Sequence, residues 1–152
     1  MNKVFLFLFL ISSTSFGQYF QVHAHNDYAQ ERPFWAAYEA GCSSIEVDVF
    51  LENGQLMVAH NNEDIKEGFT LEQLYLEPLL QISDKQTADL ELLIDIKTEA
   101  ATTLAVIISE LKNYPKLISD KSKIHFVISG NRPEAVLYSI YPSFINFDYQ
   151  TV

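Results

Sequence analysis

Cysteine is nearly missing from this chain: Cys42 stands alone among 152 residues. No intramolecular disulfide can therefore brace the fold, and its stability has to come from a packed apolar core. Basic residues are also scarce. Ten Lys and Arg face twenty Asp and Glu, a formal net charge of −10. Contacts to a nucleic-acid backbone need Lys and Arg, so charge excludes nucleic acid as a partner, while the same acidity suits a cation. Long hydrophobic runs are absent after residue 17, and about 20 apolar residues are needed to cross a bilayer. No transmembrane segment is expected once the leader is removed. Repeats, linkers and low-complexity tracts are missing too, which leaves one domain over residues 18–152.

The leader itself is what is present first. Lys3 precedes an unbroken apolar run at 4–11, and a small polar stretch follows at 12–17. That order is the order of a secretory signal peptide. Residues 1–17 are expected to be cleaved before Gln18, giving a periplasmic or secreted protein. Cys42 lies too far downstream for a lipoprotein. Apolar residues make up 48% of the chain and aromatics 13%, enough for one ordinary globular unit.

After the leader, strand-like and helix-like segments alternate, the pattern of an α/β fold with parallel strands. Strands are expected at 20–24, 44–51, 92–96, 124–129 and 144–147. A helix at 33–40 ends where Gly41 can cap it. Asn53-Gly54 forms a tight turn with both central residues at positive φ, returning a hairpin arm at 56–59. Thr70 and Gln73 have capping-box spacing and open a helix to residue 80. An amphipathic helix fills 99–113 and stops at Pro115. Asn131 as cap with Pro133 in the first turn opens another. A complete eight-stranded barrel takes roughly 250 residues, so these five strands read as the N-terminal part of a C-terminally truncated barrel, or as a small complete five-stranded sheet.

The chemistry is carried by polar residues where strands should be apolar. Residues two apart on a strand share a face. Glu46 and Asp48 share one face of Ser-Ile-Glu-Val-Asp-Val-Phe, while Ile45, Val47 and Val49 take the other. Asp95 and Lys97 share a face of the next principal strand, His23 and His25 sit at the end of the first, and His60 ends the hairpin arm. Unpaired buried carboxylates are costly and need a cation or a charge partner. Three of them from two adjacent strands can converge on one hard divalent ion. Asp27 is expected to cap the following segment, and Tyr28, Trp35 and Tyr38 are expected to be packing residues. Ser129, Asn131 and Asp148 fall near later strand ends.

Read together, His23-Ala-His-Asn-Asp-Tyr28, Ala40-Gly-Cys-Ser-Ser-Ile-Glu-Val-Asp-Val49 and Asn53-Gly-Gln-Leu-Met-Val-Ala-His60 resemble the PLC-like phosphodiesterase superfamily. That group includes glycerophosphodiester phosphodiesterases, phosphatidylinositol-specific phospholipase C and the sphingomyelinase D toxins. The His-x-His-Asn-Asp-Tyr opening is most similar to a bacterial and fungal subgroup. The resemblance implies a TIM-type (β/α) barrel with its site at the C-terminal strand ends. It implies His25 and His60 as catalytic residues, Glu46, Asp48 and Asp95 as ligands of Mg2+ or Ca2+, and Lys97 as a substrate contact. The glycerophosphodiesterase branch has His-Arg-Gly where this chain has His25-Asn26-Asp27. The bidentate phosphate contact of that arginine is lost, and Asn26 takes its place as a candidate substrate-binding residue.

The expected function is an exported metal-dependent phosphoric diester hydrolase acting on a glycerophosphodiester or phospholipid-type substrate. Two alternatives stay open at this point. His23 and His25 also fit the opening of a zinc amidohydrolase-like metallohydrolase, and a half-barrel could be an inactive fragment or binding domain.

Overall fold

The computed structural model describes residues 21–148; the expected signal peptide lies outside the described residues, as does Phe20 of the first expected strand. One mixed sheet of six strands organises the chain: β1 (His23–Ala24), β2 (Ser44–Glu52), β3 (Gln55–Val58), β4 (Leu90–Ile96), β5 (Ile124–Gly130) and β6 (Ile145–Phe147). β1, β2, β4, β5 and β6 lie side by side in chain order and run parallel. β3 folds back antiparallel on β2, through a turn with Asn53 and Gly54 both at positive φ. Parallel neighbours need crossover connections, which here contain α1 (Trp35–Glu39), α2 (Glu77–Ser83) and α3 (Ala100–Leu111). The fold is α/β, as expected.

Strand periodicity divides the sheet into two chemically different faces. Ile45, Val47 and Val49 of β2, Leu92, Ile94 and Ile96 of β4, and Phe126 and Ile128 of β5 are buried in one core with Leu79 and Ile82 of α2 and Leu104, Ile107 and Leu111 of α3. The opposite face carries Ser44, Glu46 and Asp48, then Glu91, Leu93 and Asp95, then His125, Val127 and Ser129. Register sets Asp48 beside Asp95, and Asp95 beside Ser129. Trp35 and Tyr38 pack against buried Phe34, the packing role their aromatic character predicts.

Two expected helices differ. Thr70 Oγ1 does accept from the Gln73 amide at 3.2 Å, but the helix opens as a π turn over Glu72–Leu76 before α2 begins. Pro78 explains this: its ring lacks an N–H and would collide with the carbonyl four residues back, and a wider turn accommodates it. The helix expected from Asn131 is a correction. Its side-chain amide donates to the Thr98 carbonyl at 2.9 Å instead of capping, and only a 3-10 segment, Ala135–Ile140, follows.

Glu110 on α3 gives the core a pH-dependent weakness. Its Oε1 is buried without a hydrogen-bond partner, and burial together with the Glu72 charge pushes the carboxyl from an ordinary 4.5 up to about 7. A raised folded-state pKa means that its contribution is present below about pH 4.5 and lost as pH rises through about 7. Glu110→Gln should therefore match the wild type near pH 5 and exceed it by about 1–2 kcal/mol at pH 8, after discounting for partial exposure. Denaturant melts at the two pH values test this, and an equal difference at both would refute it.

Candidate active site

Three carboxylates meet on the polar face of the sheet. One ligand oxygen each from Glu46, Asp48 and Asp95 lie within 4.8 Å of one another, with Glu46 and Asp48 buried and Asp95 half-buried. Among the described residues this is the group that could hold a metal ion, and it contains oxygen donors only, the set preferred by hard cations such as Mg2+ and Ca2+. Its fit to a cation shows in two atoms. Asp95 Oδ1 is buried without any hydrogen bond, and Asp48 Oδ1, buried too, has an ion-pair contact to Lys97 Nζ at 3.3 Å in place of one, although a buried carboxylate oxygen ordinarily finds a hydrogen-bond partner.

Lys97 supplies the nearest positive charge. Its Nζ lies 3.0 Å from Asp95 Oδ2 and 3.3 Å from Asp48 Oδ1. Burial pushes the ammonium down, but the hydrogen bond to Asp95 and the Asp48 and Asp95 charges outweigh it and hold Lys97 above its ordinary value. It carries one charge against three, so the cluster stays net negative.

The histidines flank this group. His25 Nε2 is 3.8 Å from Glu46 Oε1, and its side chain is 70% exposed. His60 Nδ1 is 3.3 Å from Asp48 Oδ2, with the ring 60% exposed. Both rings are thus accessible at the edge of the cluster. His23 is placed differently: its Nδ1 meets Ser44 Oγ at 2.8 Å and its Nε2 meets Glu46 Oε2 at 2.9 Å. Both nitrogens are taken, so neither lone pair is directed at a metal, which weighs against the zinc alternative built on His23 and His25. Asn26 adopts the left-handed conformation at φ 49° and makes no side-chain cap hydrogen bond. A cavity of about 220 Å³ opens beside His25, lined by Ala24, Asp27, Gln30, Ala36 and Ala37.

Three residues carry more than their sequence context predicts. Tyr28, expected to be a packing residue, packs against the core but also donates its hydroxyl to Asp48 Oδ2 at 2.7 Å and meets His60 Nδ1 at 3.2 Å. Burial first, and then the Asp48 hydrogen bond and the surrounding carboxylates, push its phenol well above the ordinary value. Asp27 is buried, and its Oδ2 accepts from the Phe34 amide and, at 3.1 Å, from the Tyr75 hydroxyl. That amide contact holds Phe34 at φ 64°, an unusual conformation for a bulky residue, and so fixes the loop between His25 and α1. Gly130 lies against Asp95: a Cβ there would fall 1.9 Å from Asp95 Oδ1. In sequence Tyr28 is marked only as the last residue of the His-x-His-Asn-Asp-Tyr opening; nothing local marks Gly130.

Comparison with known proteins finds similarity over the first part of the chain. Residues 17–91 match the model of the AIM6-like phosphodiesterase domain, a stretch holding His25, Asn26, Tyr28, Glu46, Asp48 and His60 and stopping short of Asp95 and Lys97. Altered inheritance of mitochondria protein 6 homolog of Arthroderma benhamiae is 44% identical over 70 residues, 42% of this chain and 22% of that protein. Altered inheritance of mitochondria protein 6 of Eremothecium gossypii is 39% identical over 64 residues, covering 41% of this chain and 16% of the relative. The Saccharomyces cerevisiae protein of the same name is 36% identical over 66 residues, 42% and 17% respectively. The chain therefore spans about a fifth of the length of these curated relatives. No solved structure matches it. Over residues 17–91 the chain is similar to AIM6-like phosphodiesterase domains, which supports a phosphodiesterase-like function.

Proposed function

We propose that this chain is an exported, metal-dependent phosphoric diester hydrolase whose substrate is a glycerophosphodiester or a phospholipid-type headgroup. The observation that carries the reading is the convergence of Glu46, Asp48 and Asp95 within 4.8 Å, flanked by two exposed histidines and one lysine. Residues 1–17 serve as its export signal. The parallel strands in chain order are the N-terminal part of a TIM-type barrel, whose catalytic end is the C-terminal end of its strands.

Glu46, Asp48 and Asp95 would hold Mg2+ or Ca2+. Bound there, the ion supplies charge neutralisation at a phosphoryl oxygen. Lys97 and Asn26 bind the remaining phosphate oxygens. A water or substrate hydroxyl attacks phosphorus while one of His25 and His60 takes its proton. The P–O bond to the leaving group breaks, and the other histidine protonates the departing oxygen. Histidine suits both roles because its unperturbed pKa is about 6.5.

Hydrolysis of bis(p-nitrophenyl) phosphate by the full chain tests this, with magnesium, calcium, zinc or chelator added. Turnover should appear with magnesium or calcium and vanish with chelator. His60→Ala should lose at least about a hundredfold in turnover with metal binding retained, measured by calorimetry. Turnover with zinc alone, or a folded protein inert with every metal, would overturn the reading; a fully active His60→Ala variant would remove that histidine from it.

A further inference from the structure

Tyr28 has the geometry of a device that decides which atom of His60 reacts. A phenol has one proton, and the Tyr28 hydroxyl gives it to Asp48 Oδ2, 2.7 Å away. What remains on that oxygen is lone pairs. His60 Nδ1 lies 3.2 Å from the same hydroxyl and 3.3 Å from Asp48 Oδ2. Both neighbours of Nδ1 are therefore acceptors, and a bare Nδ1 lone pair would face two oxygens at hydrogen-bond distance. The ring meets this arrangement in one neutral tautomer, with the proton on Nδ1 and the lone pair on Nε2.

From this contact set we propose that Tyr28 is a positioning residue that locks neutral His60 in the Nδ1–H tautomer and presents Nε2 to the substrate. The inference rests on the reading of His60 as a proton carrier in phosphodiester hydrolysis. Asp48 is divided by the same contacts: Oδ2 serves Tyr28 and His60, while Oδ1, without a hydrogen bond, turns to the cationic side where Lys97 stands. One carboxylate thereby links the proton carrier to the cation cluster. His25 has no such brace; its only close carboxylate contact among the described residues is Glu46 Oε1 at 3.8 Å. With the lone pair on Nε2, His60 can take the proton of the attacking hydroxyl, which leaves protonation of the leaving oxygen to His25. A ring in the opposite tautomer would face the substrate with an N–H and could accept nothing.

The tautomer is directly measurable. Two-bond 15N–1H correlation spectra of the full chain at pH 8 distinguish Nδ1–H from Nε2–H in each neutral histidine, and loss of one ring pattern in His60→Ala assigns His60. The wild type should show His60 as Nδ1–H. In Tyr28→Phe the remaining acceptor is Asp48 Oδ2 alone, so the Nε2–H form should become visibly populated and turnover should fall about 10- to 100-fold with KM changed less than about threefold. A wild-type His60 in the Nε2–H form overturns the proposal without any variant, as does an unchanged tautomer in Tyr28→Phe. If Tyr28→Phe fails to fold, the wild-type spectrum still decides. Failure of the hydrolase reading looks different: a locked Nδ1–H ring in a protein that turns over no phosphodiester with any metal.

Discussion

Replacing Asp48 by Asn is expected to lower magnesium- or calcium-supported phosphodiester hydrolysis by about a thousandfold or more, and to leave the metal-free protein folded. Both halves follow from the charges around Asp48. At an effective dielectric of about 20, carboxylate oxygens within 4.8 Å of each other repel by roughly 3.5 kcal/mol or more, and Asp48 has two such neighbours. Lys97, 3.3 Å from Asp48 Oδ1, attracts it by roughly 5 kcal/mol on the same scale. Neutralising Asp48 removes two repulsions and one attraction of comparable total, so stability without metal should stay within about 2 kcal/mol of the wild type. Nothing offsets the loss for a bound cation. A divalent ion contributes several kcal/mol to stabilising the transferring phosphoryl group, and about 4 kcal/mol is a thousandfold in rate. A thermal readout separates binding from chemistry. Magnesium at a hundred times its Kd should stabilise the wild type by about 2.7 kcal/mol, raising Tm by roughly 5–10 °C. Asp48→Asn should show almost none of that rise. A variant that keeps both the rise and the turnover would dismiss the carboxylate cluster as the metal site.

Why Asp48 could be read from sequence, and Tyr28 could not, is a matter of range. The face on which Glu46, Asp48, Asp95 and Lys97 stand follows from the alternation of side chains along a strand, a rule that operates over two residues. Once β2 and β4 were recognised as adjacent parallel strands, their carboxylates had to meet. The Asn53-Gly54 turn was legible for the same reason, since its positive φ angles are chosen by two residues. Tyr28 instead reaches Asp48 across 20 residues, from a loop that turns at left-handed Asn26, and an aromatic residue there looks no different from one that only packs. The helix expected after Asn131 failed likewise: a side chain that can cap a helix was claimed by the Thr98 carbonyl, on the loop after a neighbouring strand. Roles set by contacts between distant segments were the ones that stayed hidden.

Gly130 is the sharpest of those hidden contacts, and Gly130→Ala should be among the most damaging single substitutions near the site. The residue sits at φ +65° at the end of β5, and an added Cβ would lie 1.9 Å from Asp95 Oδ1 and 2.6 Å from the Ile96 carbonyl oxygen. That carbonyl already accepts from the Asn131 amide at 2.8 Å, so it cannot retreat without breaking a bond. Two costs add. An L-residue in the left-handed region loses about 1–2 kcal/mol, and forcing a methyl into a filled space costs about 1–3 kcal/mol more. A total of about 2–5 kcal/mol corresponds to a Tm drop of roughly 4–20 °C for a chain of this size. The second effect is functional. Asp95 has to move its carboxylate away from the new methyl, which separates it from Asp48 and Lys97 and should weaken magnesium binding by about tenfold or more. Gly41→Ala is the matched comparison, because Gly41 has φ +80° and nothing within 4 Å of the position its Cβ would take. It bears the backbone cost without the collision, and it lies away from the carboxylates. Gly130→Ala should therefore be less stable than Gly41→Ala by about 1–3 kcal/mol, and only Gly130→Ala should lose the stabilisation conferred by magnesium. Equal stability of the two variants, with equal response to magnesium, would show that Asp95 does not depend on the bare Cα beside it.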